Sequence, residues 1–410
     1  MLKPQTRGLL IVLLVVLLLL RQGFGVVLAG LFGLSLAAAA LWSRWALRRV
    51  SYSRTLSSAR AFVGDEIVLT QRLANAKLLG LPSLRIDETV PERLDYGQQR
   101  LLAHAQSHLR TLRRWAALRP YEAISWSLPI RCTRRGLYTF GPAELEATDA
   151  FGFYQRTLDL PERLQLVVYP ALIRLPNIAL RAQHPVGDAR APRQLLTDPL
   201  RTVGVRDYHR DDPLKAIHWG ATARRGELQT RVFEPTTNLD VAIVLNLDTF
   251  EYYWQGMSLD QVEQMISAAA TVATEAAAAH LGLGLYVNGS PADSGQVVRI
   301  PPSRSPAQLS RVLEALGKLS PYSVLPIANL LQRLGPSLDW GATIVLINAV
   351  DSEALRSALL RLTRRGRRVV WLYPGSKLPP RLPGVEIHLL DGAGAEWSDR
   401  RGGIVPIAPV

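Results

Sequence analysis

Cysteine is nearly absent: Cys132 stands alone among 410 residues, which excludes an internal disulfide framework and a multi-cysteine zinc site. One thiol fits a reducing compartment. Cys132 falls in a stretch that reads as a strand with no histidine near it, so a nucleophile activated by imidazole is not expected there. Also missing are the G-x-x-x-x-G-K-[ST] phosphate loop, the G-x-S-x-G nucleophile elbow and the H-E-x-x-H zinc helix. His104 and His108 have the spacing of a metal pair, yet Ala105 stands where a zinc peptidase carries its Glu, and no third ligand follows. A concentrated basic run is lacking too. The formal net charge is +14, but its cations, almost all Arg, spread from Arg7 to Arg401. Specific nucleic-acid binding is therefore not expected, and an anionic lipid bilayer is the simpler partner.

Long apolar runs, by contrast, are present at the N-terminus. Gly8 to Leu20 is unbroken, Arg21 and Gln22 interrupt it, and Gly23 to Trp42 forms a second run. The second approaches the roughly twenty residues that a 30 Å hydrocarbon core requires. The expectation is a transmembrane helical hairpin over residues 1–48. Lys3 and Arg7 precede it and Arg44, Arg48, Arg49 and Arg54 follow, which places both flanks in the cytoplasm of a multi-pass cell-membrane protein. A cleaved signal peptide with Gly8 to Leu20 as its apolar core is the alternative.

From residue 49 to 180 the pattern changes to short alternating stretches punctuated by Gly and Pro. Ile67 to Leu73, Leu84 to Thr89, Ile124 to Cys132 and Leu164 to Tyr169 read as strands without helices between them. That spacing predicts an all-β immunoglobulin-like sandwich. Residues 181–234 follow as a linker, rich in Pro and Gly up to Thr202, and a polar segment. Residues 235–410 then alternate strand and helix: Asp240 to Leu247, Leu259 to His280, Leu283 to Val287, Thr343 to Ile347, Ser352 to Arg364, Arg368 to Leu372 and Val385 to Leu389. Such alternation predicts an α/β doubly wound sheet.

The densest chemistry lies between Gly204 and Glu234. Arg206, Asp207, Tyr208, Arg210, Asp211, Asp212, His218, Trp219, Arg224 and Arg225 fall within about twenty residues, more hydrogen-bonding capacity than a packing element requires. Asp212 before Pro213 reads as a helix start, Leu214, Ile217 and Ala221 as its apolar stripe, and Gly226 as its stop. Leu228 to Phe233 then alternates like a strand.

Arg206, Tyr208, Asp212, Ile217, His218, Trp219, Ala223, Arg224 and Leu228 together resemble the signature R-x-Y-x-x-G-D-x-x-R-x-I-H-W-x-x-x-A-R-x-x-x-L of the bacterial domain of unknown function 58 family. Asp207 stands where that family commonly has Glu, Asp211 where it has Gly, and Lys215 where it has Arg. The resemblance extends upstream through Arg134, Arg135, Gly136, Tyr138, Gly141 and Pro142, then Asp149, Phe151 and Gly152, then Val168, Tyr169 and Pro170, with Ala150 in place of a usual Pro. It implies a membrane-anchored protein with no established catalytic activity that works beside a MoxR-type AAA+ ATPase, with other membrane or von Willebrand factor A proteins as further partners.

The order of the last block also resembles a von Willebrand factor A domain. That likeness implies a divalent cation held by D-x-S-x-S after the first strand, but here the residues are Asp248, Thr249, Phe250, Glu251 and Tyr252. Phe250 and Tyr252 replace two hydroxyl ligands, and hard cations need several oxygens. Asp248, Thr249 and Asp351, with Glu251 and Asn348, are the remaining candidate ligands, and no cofactor is expected beyond such an ion. The leading expectation is a non-enzymatic interaction or scaffold protein. In it Arg206, Asp207, Tyr208, Asp212, His218, Trp219 and Arg224 either contact a partner or lock the fold, with Arg206 and Arg224 paired to acids. The alternative is a metal-dependent hydrolase using Asp207, Asp211, Asp212 and His218.

Overall fold

Residues 23–175, 197–210, 212, 214–235, 240–334, 338, 342–375 and 378–390 are described by the computed structural model. The chain divides into two compact units, Met1–Ala171 and Leu172–Val410.

The first unit opens with the helix Gly23–Trp45. Its C-terminal turns are occupied by packing. Phe32 meets Phe153 edge to face at 5.9 Å, the Trp42 indole donates to the Gly80 carbonyl at 3.1 Å, and Ala39, Ser43 and Ala46 are buried. Among the described residues no helix is long and apolar enough to cross a membrane. The expected transmembrane hairpin is therefore corrected, and with it the assignment to a multi-pass cell-membrane protein with cytoplasmic domains. The first apolar run, Gly8 to Leu20, lies outside the described residues.

The rest of this unit is strand after strand, and the immunoglobulin-like expectation is corrected as well. Among the described residues this unit forms three sheets, of three, five and three strands. Glu66–Asn75 is the centre of the first sheet, and its inward positions Ile67, Leu69, Gln71, Leu73 and Asn75 are all buried. The third sheet pairs Leu164–Tyr169 in parallel with Arg60–Phe62 and antiparallel with Gly136–Phe140. Two cores result. One gathers Leu69, Phe140 and Leu166, while the other joins Leu73, Leu84, Ile86 and Leu145 to Ala46, with Trp42 packed against it. Cys132 is buried, and loss of solvation pushes its thiol up to about 11.

The second unit begins with an antiparallel pair, Thr197–Asp207 with Gln229–Pro235. Thr197 to Thr202, read as linker from composition, is strand, and residues 181–196 lie outside the described residues. A six-stranded sheet follows in the order Arg299–Ser303, Gly282–Val287, Asp240–Leu245, Thr343–Ile347, Arg368–Tyr373, Val385–Leu389. All neighbours in it are parallel except the antiparallel edge strand Arg299–Ser303. Its central strands are apolar without interruption because both faces are covered. Ala242, Val244, Leu346 and Trp371 pack with Leu330, Leu331, Leu355 and Leu359 of the helices Ile327–Leu334 and Glu353–Arg364, leaving Val241, Ile243 and Leu245 for the opposite face. The arrangement is not a plain strand and helix alternation. Between Val287 and Thr343 the chain also makes the edge strand and a separate ribbon of Gly289–Pro291 with Leu319–Ser323.

Candidate functional site

The polar segment folds as a hairpin with a helical turn inserted in it. Arg206 lies opposite Thr230 and Asp207 opposite Gln229. At the tip of the first strand the Asp212 amide donates to the His209 carbonyl at 2.8 Å, and the His209 amide donates back to Asp212 Oδ2 at 2.9 Å. Arg206 closes this turn by donating to Asp212 Oδ1 at 2.6 Å and to the Asp207 carbonyl at 3.1 Å. The Thr230 hydroxyl adds a bond to Asp212 Oδ2 at 3.3 Å. The Arg206 guanidinium, and after it the His209 amide, hold the Asp212 carboxyl below its ordinary value.

Asp212 therefore organises a turn and does not cap a helix, which corrects the expected helix start. Residues Leu214–Ala216 form a 3-10 turn, and the α-helix is Trp219–Arg225 with His218 as its cap. His218 Nδ1 accepts from the Ala221 amide at 3.0 Å. At the other end Gly226 takes the left-handed conformation at φ 76° and its amide donates to Thr222, which is what a glycine stop supplies. The residues buried here are Ala216 and Ile217, and Ile217 pairs with Thr230 in an isolated antiparallel bridge in place of continuing the helix. Leu214, expected in the apolar stripe, is 71% exposed. Asp211 and Pro213 lie outside the described residues.

Gln229, which the sequence reading passed over, ties the parts together. It is fully buried. Its Nε2 donates to Asp207 Oδ1 at 2.7 Å, its Oε1 accepts from Arg225 at 3.3 Å, its amide donates to the Thr222 hydroxyl at 3.0 Å, and its carbonyl accepts the His218 amide at 2.8 Å. Arg225 also stands 3.8 Å from Asp207. Among the described residues Arg206 and Arg225 reach acids, and Arg224, expected to pair with one, is exposed as Arg225 is. The signal for Gln229 was its position opposite Asp207, visible only once the register is known. Asp207, Asp212 and His218 are brought to one hairpin, each with a protein partner. Trp219 is 67% exposed, Leu214, Leu228 and Val205 of the same hairpin are exposed as well, and Tyr208 is half-buried with its amide donating to the Leu228 carbonyl.

The second candidate region lies where the parallel strands end, the ligand position of open α/β sheets. Three asparagines converge there. Asn246 Nδ2 donates to Asn348 Oδ1 and Asn288 Nδ2 to Asn246 Oδ1, both at 2.6 Å. Asp248 is held on both oxygens, by Ser323 Oγ at 2.5 Å and Asn288 Nδ2 at 3.1 Å. Thr249 Oγ1 accepts from the Ser258 amide at 3.0 Å. Asp351 is forked by Arg356 through Nε at 2.7 Å and Nη2 at 2.5 Å. The carboxylates named as ion ligands thus face neutral or cationic donors, which compete with a hard cation. Among the described residues no cluster of three His, Cys, Asp or Glu side chains suited to a metal occurs.

Comparison with known proteins adds a similarity over part of the chain. Residues 204–370 match the family described as protein of unknown function DUF58. A Bacillus subtilis (strain 168) protein, "Uncharacterized protein YeaD", is 23% identical over 235 residues, 57% of this chain and 54% of that protein. The chain thus spans about half the length of the curated relative it matches. Among solved structures, a cohesin module of a Clostridium perfringens family 33 glycoside hydrolase shares 11% identity over 29% of this chain and 96% of its own, at a TM-score of 0.21. The Bacillus subtilis sporulation control protein Spo0M shares 11% over 29% of this chain and 49% of its own, at 0.19. Likenesses of that size carry no argument about fold or function.

Proposed function

We propose, with the match of residues 204–370 to the DUF58 family of unknown function as premise, that this protein is a non-enzymatic interaction protein whose hairpin presents a docking face. The observation that carries the reading is the contrast within the hairpin. Arg206, Asp207, Asp212 and Arg225 are held by partners within the hairpin, while the apolar side chains of Trp219, Leu214, Leu228 and Val205 are left exposed to solvent. An exposed indole on a pinned element is the kind of anchor that dominates contact energies. Pinning also lowers the ordering cost of association. The family resemblance supplies a MoxR-type AAA+ ATPase as the partner, and the exposed cations Arg210, Lys215, Arg224 and Arg231 of the same segment suit an acidic surface on it.

The test is binding of the purified full chain to a purified MoxR-type ATPase. Trp219→Ala is expected to weaken the complex by about 30-fold, the size of a hot-spot truncation, with Leu214→Ser weakening it less. Unchanged affinity in a correctly folded Trp219→Ala variant ends the reading.

A further inference from the structure

A second exposed aromatic surface lies at the C-terminal edge of the six-stranded sheet, in the loop that follows the strand Asp240–Leu245. Tyr252 and Trp254 stack at 4.6 Å between ring centroids with 13° between planes. Phe250 is exposed beside them in sequence, and Trp254 remains 67% exposed despite the stack. None of these side chains serves a core, and apolar surface of this kind marks an interaction site.

The loop carrying the rings is held in place. Its first residues are fixed by the Leu247 amide donating to Asn288 Oδ1 at 2.8 Å and the Asp248 amide donating to Asn246 Oδ1 at 3.1 Å. The middle is closed by the Tyr252 amide on Gln255 Oε1 at 3.1 Å. At its end Ser258 donates its amide to Thr249 and accepts the Gln261 amide, which starts the helix Leu259–Ala278. Ser323 on Asp248 ties in the ribbon that carries the exposed Tyr322.

Charge decides what the surface takes. The chain as a whole carries +14, yet residues 232–298 contain no Lys or Arg at all, against eight carboxylates. Two of these, Glu251 within the aromatic loop and Asp260 in the first turn of the helix that follows it, are exposed. An electron-rich ring face flanked by carboxylates attracts guanidinium, by cation–π contact on the ring and by charge-assisted hydrogen bonds to the acids. We infer that this edge is a docking surface for an extended, arginine-bearing peptide segment, with Trp254 as the platform and Glu251 and Asp260 as its anionic rim. The inference uses no residue of the hairpin and stands without the ATPase reading.

The experiment is fluorescence anisotropy of a labelled ten-residue peptide alternating Arg and Ser, titrated with the full chain at low and moderate salt. Binding is expected at low salt. Trp254→Ala should weaken it about five-fold, Trp254→Tyr should restore most of it, and Glu251→Gln with Asp260→Asn should weaken it further and flatten its salt dependence. All substituted side chains are exposed, and matching circular dichroism checks that the variants fold. The inference is overturned if the peptide does not bind, or if the triple variant Trp254→Ala, Glu251→Gln, Asp260→Asn binds it as the wild type does.

Discussion

Asp212 shows how one side chain in the hairpin couples fold to pH. Arg206 and the His209 amide favour its ionised form, so its folded value lies below the unfolded one. A depressed carboxylate contributes stability that is fully present above the ordinary Asp value, about 3.9, and is lost as pH falls through the folded value. Wild type should therefore unfold at a higher urea midpoint than Asp212→Asn at neutral pH, and the gap should close progressively below about pH 4. A gap unchanged under acid conditions would mean that the pair contributes through shape alone. The Arg206 side chain is half exposed, and screened pairs are worth little. The value of this pair lies in setting the turn, and truncating Arg206 will cost less than stranding a buried charge would.

Among the elements of the first unit, strands are joined by a buried polar network as well as by ladders. Glu88, on Leu81–Pro91, is fully buried and pairs with Arg54 of Val50–Leu56 at 3.1 Å. Tyr52 donates to it at 2.5 Å, and Gln71 of Glu66–Asn75 donates both to it and to Tyr52. Burial, then the Glu88 charge, push the Tyr52 phenol far above its ordinary range, which keeps it a donor. Arg114 extends the network to Leu109–Leu118 through Gln71 at 2.9 Å. The three-stranded and five-stranded sheets are thereby linked through groups that each need the others. Glu88→Gln leaves the Arg54 charge buried without compensation and should lower stability by about 3–5 kcal/mol, read as a lower urea midpoint with an unchanged slope. Adding Arg54→Met should recover much of that loss. A single variant as stable as wild type would sink the account.

At the scale of the whole molecule the charge is dispersed but not uniform. Arginines recur from end to end while residues 232–298 carry none. A duplex-DNA shift assay should accordingly show only weak, sequence-independent retention that disappears by about 0.2 M salt. Tight binding that survives higher salt would restore the nucleic-acid reading. Dispersed charge and a long apolar start together suggested a membrane protein, and the structure corrects that expectation at the helix Gly23–Trp45. Apolar composition alone cannot tell a helix that crosses lipid from one whose final turns dock on a sheet, since both bury the same residue types.

Much was legible in short windows of sequence. Alternation marks Ile67 to Leu73 and Ile124 to Cys132 as strands, which the structure places at Glu66–Asn75 and Ala123–Arg131, and Gly226 announces the end of its helix. These are determined by the residues themselves, because side-chain period and glycine conformation act within a few positions. Tertiary structure alone decided that three sheets form where one sandwich was expected, that His218 caps the hairpin helix, that Gln229 meets Asp207, and that Asn246, Asn288 and Asn348 close on one another across the sheet end. Each depends on register or crossover between segments distant in the chain, where many pairings satisfy the same local pattern and only the packing of the assembled core selects one.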